Sequence, residues 1–106
     1  MIPLETIKAH LRVDGDEEND YLEGLATSAI EYAEKYTGMA FFETQNEVEA
    51  SELANATVMG ALLKRGCLLL IGHWYSTRES VNIGNIVQEI PLTSRAIFDM
   101  FRLPTL

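Results

Sequence analysis

The chain has 106 residues, of which 47% are hydrophobic and 23% are charged, and this is the composition of a folded globular protein rather than of a disordered segment. A chain of this length buries roughly 65% of the surface that it exposes when unfolded, so we expect residues 1–106 to form a single domain with a modest core. The formal net charge of −8 argues against a surface that grips nucleic acid phosphates.

Several other classes of protein are disfavoured by what the sequence lacks. The longest apolar stretch, residues 66–75, is about half of the ~20 residues that a membrane-spanning helix needs. Cys67 is the single cysteine, so it can form neither an intramolecular disulfide nor a CxxC zinc site, and a buried core position is its simplest interpretation. There is no GxGxxG or Walker-type phosphate loop, so no nucleotide cofactor is predicted.

Two amphipathic helices are predicted before residue 39. Residues 3–13 place three aliphatic side chains on one helical face, with Pro3 at the start. An acidic turn at residues 14–20 then leads into a second helix, which begins at about Asp20 and ends at Gly38, a typical helix-ending glycine. The residues that repeat at intervals of three and four in this second helix are Leu22, Leu25, Ala29, either Tyr32 or Ala33, and Tyr36.

The acids of the intervening turn invite comparison with a calcium loop. Asp14, Asp16 and Glu18 occupy alternate positions, as at the start of an EF-hand. Asn19, however, stands where the sharp-turn glycine is needed, and Leu25 stands where the bidentate glutamate is needed. We therefore predict that these acids cap the second helix and bind no metal.

A long third helix is predicted to follow an irregular connection. Residues 39–52 lack periodicity, carry Phe41 and Phe42, and end in Ser51 as a plausible N-cap. The helix then runs from about Glu52 to Arg78, and its other faces are apolar too, so it should be a central helix surrounded by the others. Its residues at three-four spacing are Leu53, Ala56, Gly60, Leu63, Cys67, Leu70 and Trp74.

The remaining residues predict a short strap and a last helix. Residues 80–91 mix β-forming residues with Asn and Gly, which favours an extended strap or a weak hairpin. Pro91 then opens a helix with Ile97, Met100 and Phe101 on its apolar side. The predicted fold is all-α, a small bundle of about four helices around a long central helix, with the strap before the last helix.

Candidate chemistry is sparse. His73, Ser76 and Glu79 lie three residues apart, so a helix would align an imidazole, a hydroxyl and a carboxylate. A nucleophilic triad also needs oxyanion donors and a turn that presents the nucleophile, and a straight helix supplies neither. The other histidine, His10, lies in a different helix, so no HxxxH metal pair exists. We predict no catalytic, cofactor-binding or metal-binding residues.

The exit of the central helix carries Trp74, Tyr75 and Arg78, which are the residue types that anchor protein interfaces. Two interpretations remain open for them. Trp74 could belong to the core with Tyr75 on an ordinary surface, or the group could contact a partner.

Three segments of the sequence resemble the head-tail connector (adaptor) family of tailed double-stranded DNA bacteriophages and prophages, whose members are also labelled as possible DNA-packaging proteins. They are IKAHLRVDGDEEND with YLEGLATSAIEYAEKYTG, then LLLIGHWYSTRES, then IPLTSRAIFDMFR. They follow the family's order and spacing, and GHWYSTRES (72–80) is the most specific of them. The stretch at residues 39–51 is short and acidic, without the longer strand-bearing insertion of some relatives.

The resemblance implies a structural subunit of the virion, located at the head-tail junction and assembled in the host bacterial cytoplasm. It implies a homo-oligomeric ring of about 12 subunits whose interfaces are heterologous. The ring would bind the portal protein above and a stopper or tail-completion protein below, with no catalytic role and no membrane. DNA would pass through its channel without sequence-specific binding, which an acidic lumen would favour.

Either the loop with Phe41 and Phe42 or the last segment, from Phe98 to Leu106, is expected to dock against the portal through exposed apolar groups. The residues that we predict for contacts with another subunit or with the portal are Phe41, Phe42, Trp74, Tyr75, Arg78, Phe98, Phe101 and Arg102. Two alternatives stay open: a prophage-encoded helical interaction module that is not built into virions, and a small enzyme that uses His73.

Overall fold

A computed structural model describes residues 1–77 and 90–103 of the chain. The elements follow in the order α1 (Leu4–Leu11), α2 (Asn19–Thr37), β1 (Ala40–Phe42), α3 (Gln45–Ser51), β2 (Ala56–Val58), α4 (Ala61–Thr77) and α5 (Leu92–Phe101). The protein is predominantly helical, which confirms the predicted fold class, although a two-stranded sheet is added to it. The strap predicted at residues 80–91 lies, except for its last two residues, outside the described part of the chain.

The first two helices form where the sequence predicts them. In α1, Ile7 is fully buried and marks the side that packs on the core. α2 ends at Gly38, whose φ of 76° lies in the left-handed region that favours glycine. Its N–H donates to the carbonyl of Glu34 at 2.9 Å. The buried face of α2 carries mostly small residues, namely Leu22, Ala26, Ala29, Ala33 and Thr37, which lets its neighbours approach closely.

The connection predicted at residues 39–52 is instead a compact β-α-β unit. β1 and β2 pair in parallel, with Phe41 opposite Thr57, and α3 forms the crossover that a parallel pair requires. α3 begins with a capping box, in which the hydroxyl of Thr44 accepts from the N–H of Glu47 and the Glu47 carboxylate accepts from the N–H of Thr44. The predicted N-cap at Ser51 is therefore wrong, because Ser51 is the last residue of α3.

The central helix exists but starts later than predicted. Glu52, the C-cap residue directly after α3, adopts the left-handed conformation (φ 58°), and β2 interrupts the stretch that we expected to be helical. α4 begins only after Gly60, whose carbonyl accepts the N–H of Lys64 at 3.0 Å. From there α4 packs against α1, α2 and α5. The side chains that it buries are Leu63, Cys67, Leu68, Leu70, Ile71 and Trp74, so its predicted central position is confirmed.

Two glycines of α4 mark its closest helix crossings. A Cβ atom at Gly66 would lie 2.8 Å from Cε1 of Phe98 and 3.1 Å from Cγ2 of Ile97, so only glycine fits where α5 crosses. The buried hydroxyl of Ser94 donates to the Gly66 carbonyl at 2.9 Å and fixes this crossing. A Cβ at Gly72 would lie 3.2 Å from Nε2 of His10, which places α1 against the other half of α4.

α5 packs through one face and exposes the other. Ser94, Ile97 and Phe98 are buried, whereas Met100 is 70% exposed. The assignment of Met100 to the apolar inner side was wrong, because 100° per residue turns Met100 away from the centre of the buried arc. In the ranges that the structure covers, no helix is both long enough and apolar enough to span a bilayer.

Candidate assembly surface

Three of the predicted contact residues belong to the core of the subunit itself. Phe98 is fully buried, Phe41 is 4% exposed and Trp74 is 9% exposed. Phe41 and Phe98 are therefore not among the exposed apolar groups expected in their segments, since both fill the interior. In the described part of the last segment, Met100 and Leu103 are exposed instead. The buried indole N–H of Trp74 has no hydrogen-bond partner among the described residues, and a buried unpaired donor is costly.

An aromatic cluster joins α2, α4 and α5 beside this core. The rings of Tyr32 and Trp74 meet edge to face at 6.2 Å, and Tyr32 and Tyr36 stack at the same centroid distance. The Arg102 guanidinium lies 5.0 Å above the centre of the Tyr36 ring, a favourable cation–π arrangement. The Tyr36 hydroxyl donates to Asp99 at 2.6 Å. The predicted residue Arg102 is thus exposed but held against its own subunit.

Burial shifts the pKa of Tyr32 in this cluster. Desolvation raises the pKa of the Tyr32 hydroxyl, and the neighbouring Tyr36 raises it further, while the charge of Arg95 acts in the opposite direction. Tyr32 therefore stays neutral and acts here as an aromatic packing residue.

The remaining predicted residues are distributed over separate parts of the molecule. Phe42 in β1, Tyr75 in α4 and Phe101 in α5 are half-buried, and Arg78 lies outside the described residues. The Tyr75 hydroxyl donates to the carboxylate of Glu18 at 2.8 Å, which ties the end of α4 to the turn before α2. The structure does not gather the predicted residues into one patch.

Ser76, which the sequence aligns with His73 and Glu79 as a possible catalytic group, makes a hydrogen bond within α4. The hydroxyl of Ser76 donates to the backbone carbonyl of His73 at 3.1 Å, and the hydroxyl of Thr77 donates to the same carbonyl at 2.8 Å. These are ordinary bonds of hydroxyl side chains to the preceding helical turn. Glu79, the third member, lies outside the described residues.

The acids of the turn before α2 are engaged in local contacts. Lys8 donates to Asp16 at 2.7 Å and to the side chain of Asn19 at 3.2 Å. Hydrogen bonding and charge from Lys8 lower the pKa of Asp16. No group of three or more metal-binding side chains occurs among the residues that the structure covers.

Cys67 is buried in α4, which confirms its interpretation as a core residue. Burial raises the pKa of its thiol to about 12, and the neighbouring Glu34 adds to the effect. A thiol with this pKa stays protonated at neutral pH and is a poor nucleophile.

The most exposed apolar residues were missed by the sequence analysis. Leu92 is 82% exposed and Met100 is 70% exposed, and Ala96 lies exposed between them at four-residue spacing. Arg95 and Arg102 flank this stripe. We call this surface the α5 outer face, formed by Leu92, Arg95, Ala96, Met100 and Arg102; the carboxylate of Asp99, bonded to Tyr36, also lies on it. The recurrence of Leu92, Ala96 and Met100 at intervals of four was the available signal.

Charge is divided unevenly along the chain. Thirteen of the 16 acidic residues precede residue 61, whereas five of the eight basic residues follow it. The α5 outer face belongs to the basic part, and the β-α-β unit belongs to the acidic part. The two parts of the sequence therefore differ in net charge, and opposite charges favour association of one surface with a different one.

Comparison with known protein families shows which family the chain belongs to. Residues 1–102 match the model of the family described as phage gp6-like head-tail connector protein. The chain belongs to this family of phage head-tail connectors. The match confirms the resemblance carried by the three sequence segments. Neither the curated proteins nor the solved structures that were compared contain a match.

Membership of this family implies that the chain is a structural component of the virion. A head-tail connector contacts other phage proteins of the head and the tail, so its exposed surfaces are the parts that matter for function. The family is one of structural phage proteins and is not known as a family of enzymes. The α5 outer face carries Leu92 and Met100, the two most exposed large hydrophobic side chains of the described residues, and it is our candidate assembly surface.

Proposed function

We propose that this connector forms a homo-oligomeric ring of about 12 subunits, placed below the portal protein and above a stopper or tail-completion protein. The ring extends the channel through which DNA enters and leaves the head. The family match supports a position between head and tail.

The observation that carries the ring is the α5 outer face. Leu92 is 82% exposed and Met100 is 70% exposed, whereas Ile97 and Phe98 of the same helix are buried in the core. Clustered exposed apolar side chains favour association because burying them removes apolar surface from water at about 25 cal/mol per Å². A helix that is apolar on two faces is expected when each face has its own partner.

The acidic balance supports a channel role. A net charge of −8 per subunit gives a ring a strongly negative field, and carboxylates near the lumen would repel the DNA phosphates. The genome could then slide without being held. A ring whose lumen is lined mainly by lysine and arginine would contradict this part of the proposal.

Electron microscopy and mass measurement of the purified chain, alone and mixed with its portal protein, test the proposed function. We expect closed rings in the mixture, stacked on the portal. Rings without portal would mean that the subunit encodes its own closure, and rings only with portal would mean that the portal templates them. A chain that stays monomeric and does not bind the portal would instead favour an interaction module outside the virion.

A further inference from the structure

We infer that the α5 outer face of one subunit binds the acidic C-terminal end of α3 in the next copy of the chain. This inference rests on the proposed self-assembly and names the two surfaces that it uses. We define the α3 acidic patch by Glu49, in the last turn of α3, and by Glu52 and Leu53, which directly follow the helix; all three are exposed. The contact would be heterologous, since each subunit contributes a different surface at each of its two sides.

The first argument is complementarity of charge. Among the described residues, neither Arg95 nor Arg102 forms an ion pair within the subunit, although Arg102 lies over an aromatic ring. No lysine or arginine occurs in the sequence between Lys35 and Lys64, so the α3 acidic patch has no basic neighbour along its own segment. Guanidinium groups without an ion-pair partner among the described residues of their own subunit and carboxylates on another surface attract each other across an interface.

The second argument is complementarity of the apolar parts. Leu53 is 50% exposed within the α3 acidic patch, and Leu92 and Met100 are exposed on the α5 outer face. Each surface thus combines exposed apolar side chains with charged ones, as protein interfaces commonly do. Purely electrostatic contacts would not need these three side chains.

The C-terminal end of α3 carries residues that are unfavourable for local stability. α3 buries no residue, and it contacts the two strands of the small sheet. Glu49 and Glu52 sit at its C-terminal end, where the helix dipole disfavours negative charge. Glu52 also adopts a left-handed conformation, at φ 58°, which is more often given to glycine or asparagine. Residues that are unfavourable for local stability in two ways are expected where they serve a contact.

A matched pair of substitutions tests the α5 outer face. Met100→Asp and Met100→Lys remove the same exposed side chain and add opposite charges, and Leu92→Asp and Leu92→Lys do the same at the other end of α5. If the partner surface is acidic, each Asp variant should associate at least about tenfold more weakly than the Lys variant at the same position. The helix dipole favours Asp at Leu92 and Lys at Met100, so a preference for Lys at both positions cannot come from helix stability.

A charge-swap experiment then tests the α3 acidic patch. Variant A is Arg95→Glu/Met100→Asp, and variant B is Glu49→Lys/Glu52→Lys. Alone, each should associate more weakly than the wild type in sedimentation velocity over a concentration series. Mixed in equal amounts, the acidic α5 of A meets the basic α3 of B, while the contact of the α5 of B with the α3 of A is native, so association should return.

Controls and outcomes separate this inference from the proposed function. Ser28→Asp and Ser28→Lys add the same charges at an exposed position of α2 and should leave association unchanged. Equal association of the Asp and Lys variants, or failure of the A and B mixture to associate, would overturn the inference while wild-type rings still supported the proposed function. A wild-type chain that binds portal-bearing heads but never crosslinks to another copy would also overturn it, and would leave a connector role standing.

Discussion

Gly66 is the position where a single methyl group tests the packing of the subunit most sharply. A Cβ there would lie 2.8 Å from the ring of Phe98, which is fully buried and cannot turn aside into solvent. Gly66→Ala should therefore push α5 away from α4 and weaken the bond from Ser94 to the Gly66 carbonyl. The effect opposes the normal gain from replacing glycine by alanine inside a helix.

The magnitude follows from two opposing contributions. Alanine is favoured over glycine in a helix interior by about 1 kcal/mol, whereas forcing a methyl group into a packed core costs about 1–3 kcal/mol. Gly24 in α2 is the matched control, since it is exposed and a Cβ there meets no atom within 4 Å. We expect Gly24→Ala to stabilise the chain by up to about 1 kcal/mol and Gly66→Ala to fall about 1–3 kcal/mol below it.

Urea unfolding at a concentration where the chain is monomeric measures both variants. Trp74 is the single tryptophan and is packed in the core against Tyr32, so its fluorescence reports the unfolding of the bundle. A double-mutant cycle with Phe98→Leu should show coupling, because the smaller side chain makes room for the new methyl group. Equal stabilisation by Gly66→Ala and Gly24→Ala would refute the close crossing of α4 and α5.

Three further predictions concern other parts of the subunit. The buried thiol of Cys67, whose pKa is raised to about 12, should react with a disulfide reagent at pH 8 far more slowly in the native chain than in urea, and rapid native reaction would contradict its burial. Because Lys8 lowers the pKa of Asp16, their pairing should stabilise the chain above the ordinary carboxyl pKa, and this stabilisation should be lost as the pH falls through the lowered value. The melting temperature of Asp16→Asn should therefore lie below that of the wild type near neutral pH, and the two should converge in acid. A difference in melting temperature that persists in acid would count against the ion pair. Thr44→Ala should remove the capping box and destabilise α3 by about 1 kcal/mol. Amide hydrogen exchange should then become faster in α3 and stay unchanged in α2. An equal change of exchange rates in both helices would mean that α3 does not open on its own.

Local patterns were sufficient for the parts of the fold that depend on local physics. The aliphatic spacing of α1 and the glycine stop at Gly38 act within a few residues, so α1 and α2 could be read directly. The start of α4 could not, since the three-four spacing of apolar residues continues back through Ala56 into β2. Parallel pairing of β1 with β2 is a non-local contact and overrides that spacing. The capping box of Thr44 and Glu47 was a readable local signal that was missed.

The candidate site was harder to predict because exposure is a tertiary property. Trp74 and Phe98 have the residue types of interface anchors, but the subunit uses them in its own core. Leu92 and Met100 look like core residues in the sequence, and only the direction of α5 against Gly66 turns them outward. The family itself was readable, because it depends on segments of sequence rather than on surface geometry.

The central claim is that this chain joins heads to tails, and electron microscopy of the particles made without it tests that claim most directly. In the phage that encodes the chain, deletion of its gene should leave heads and tails that form but do not join, and the wild-type gene supplied in trans should restore complete virions. Complete, tailed virions formed in the absence of the chain would contradict the account.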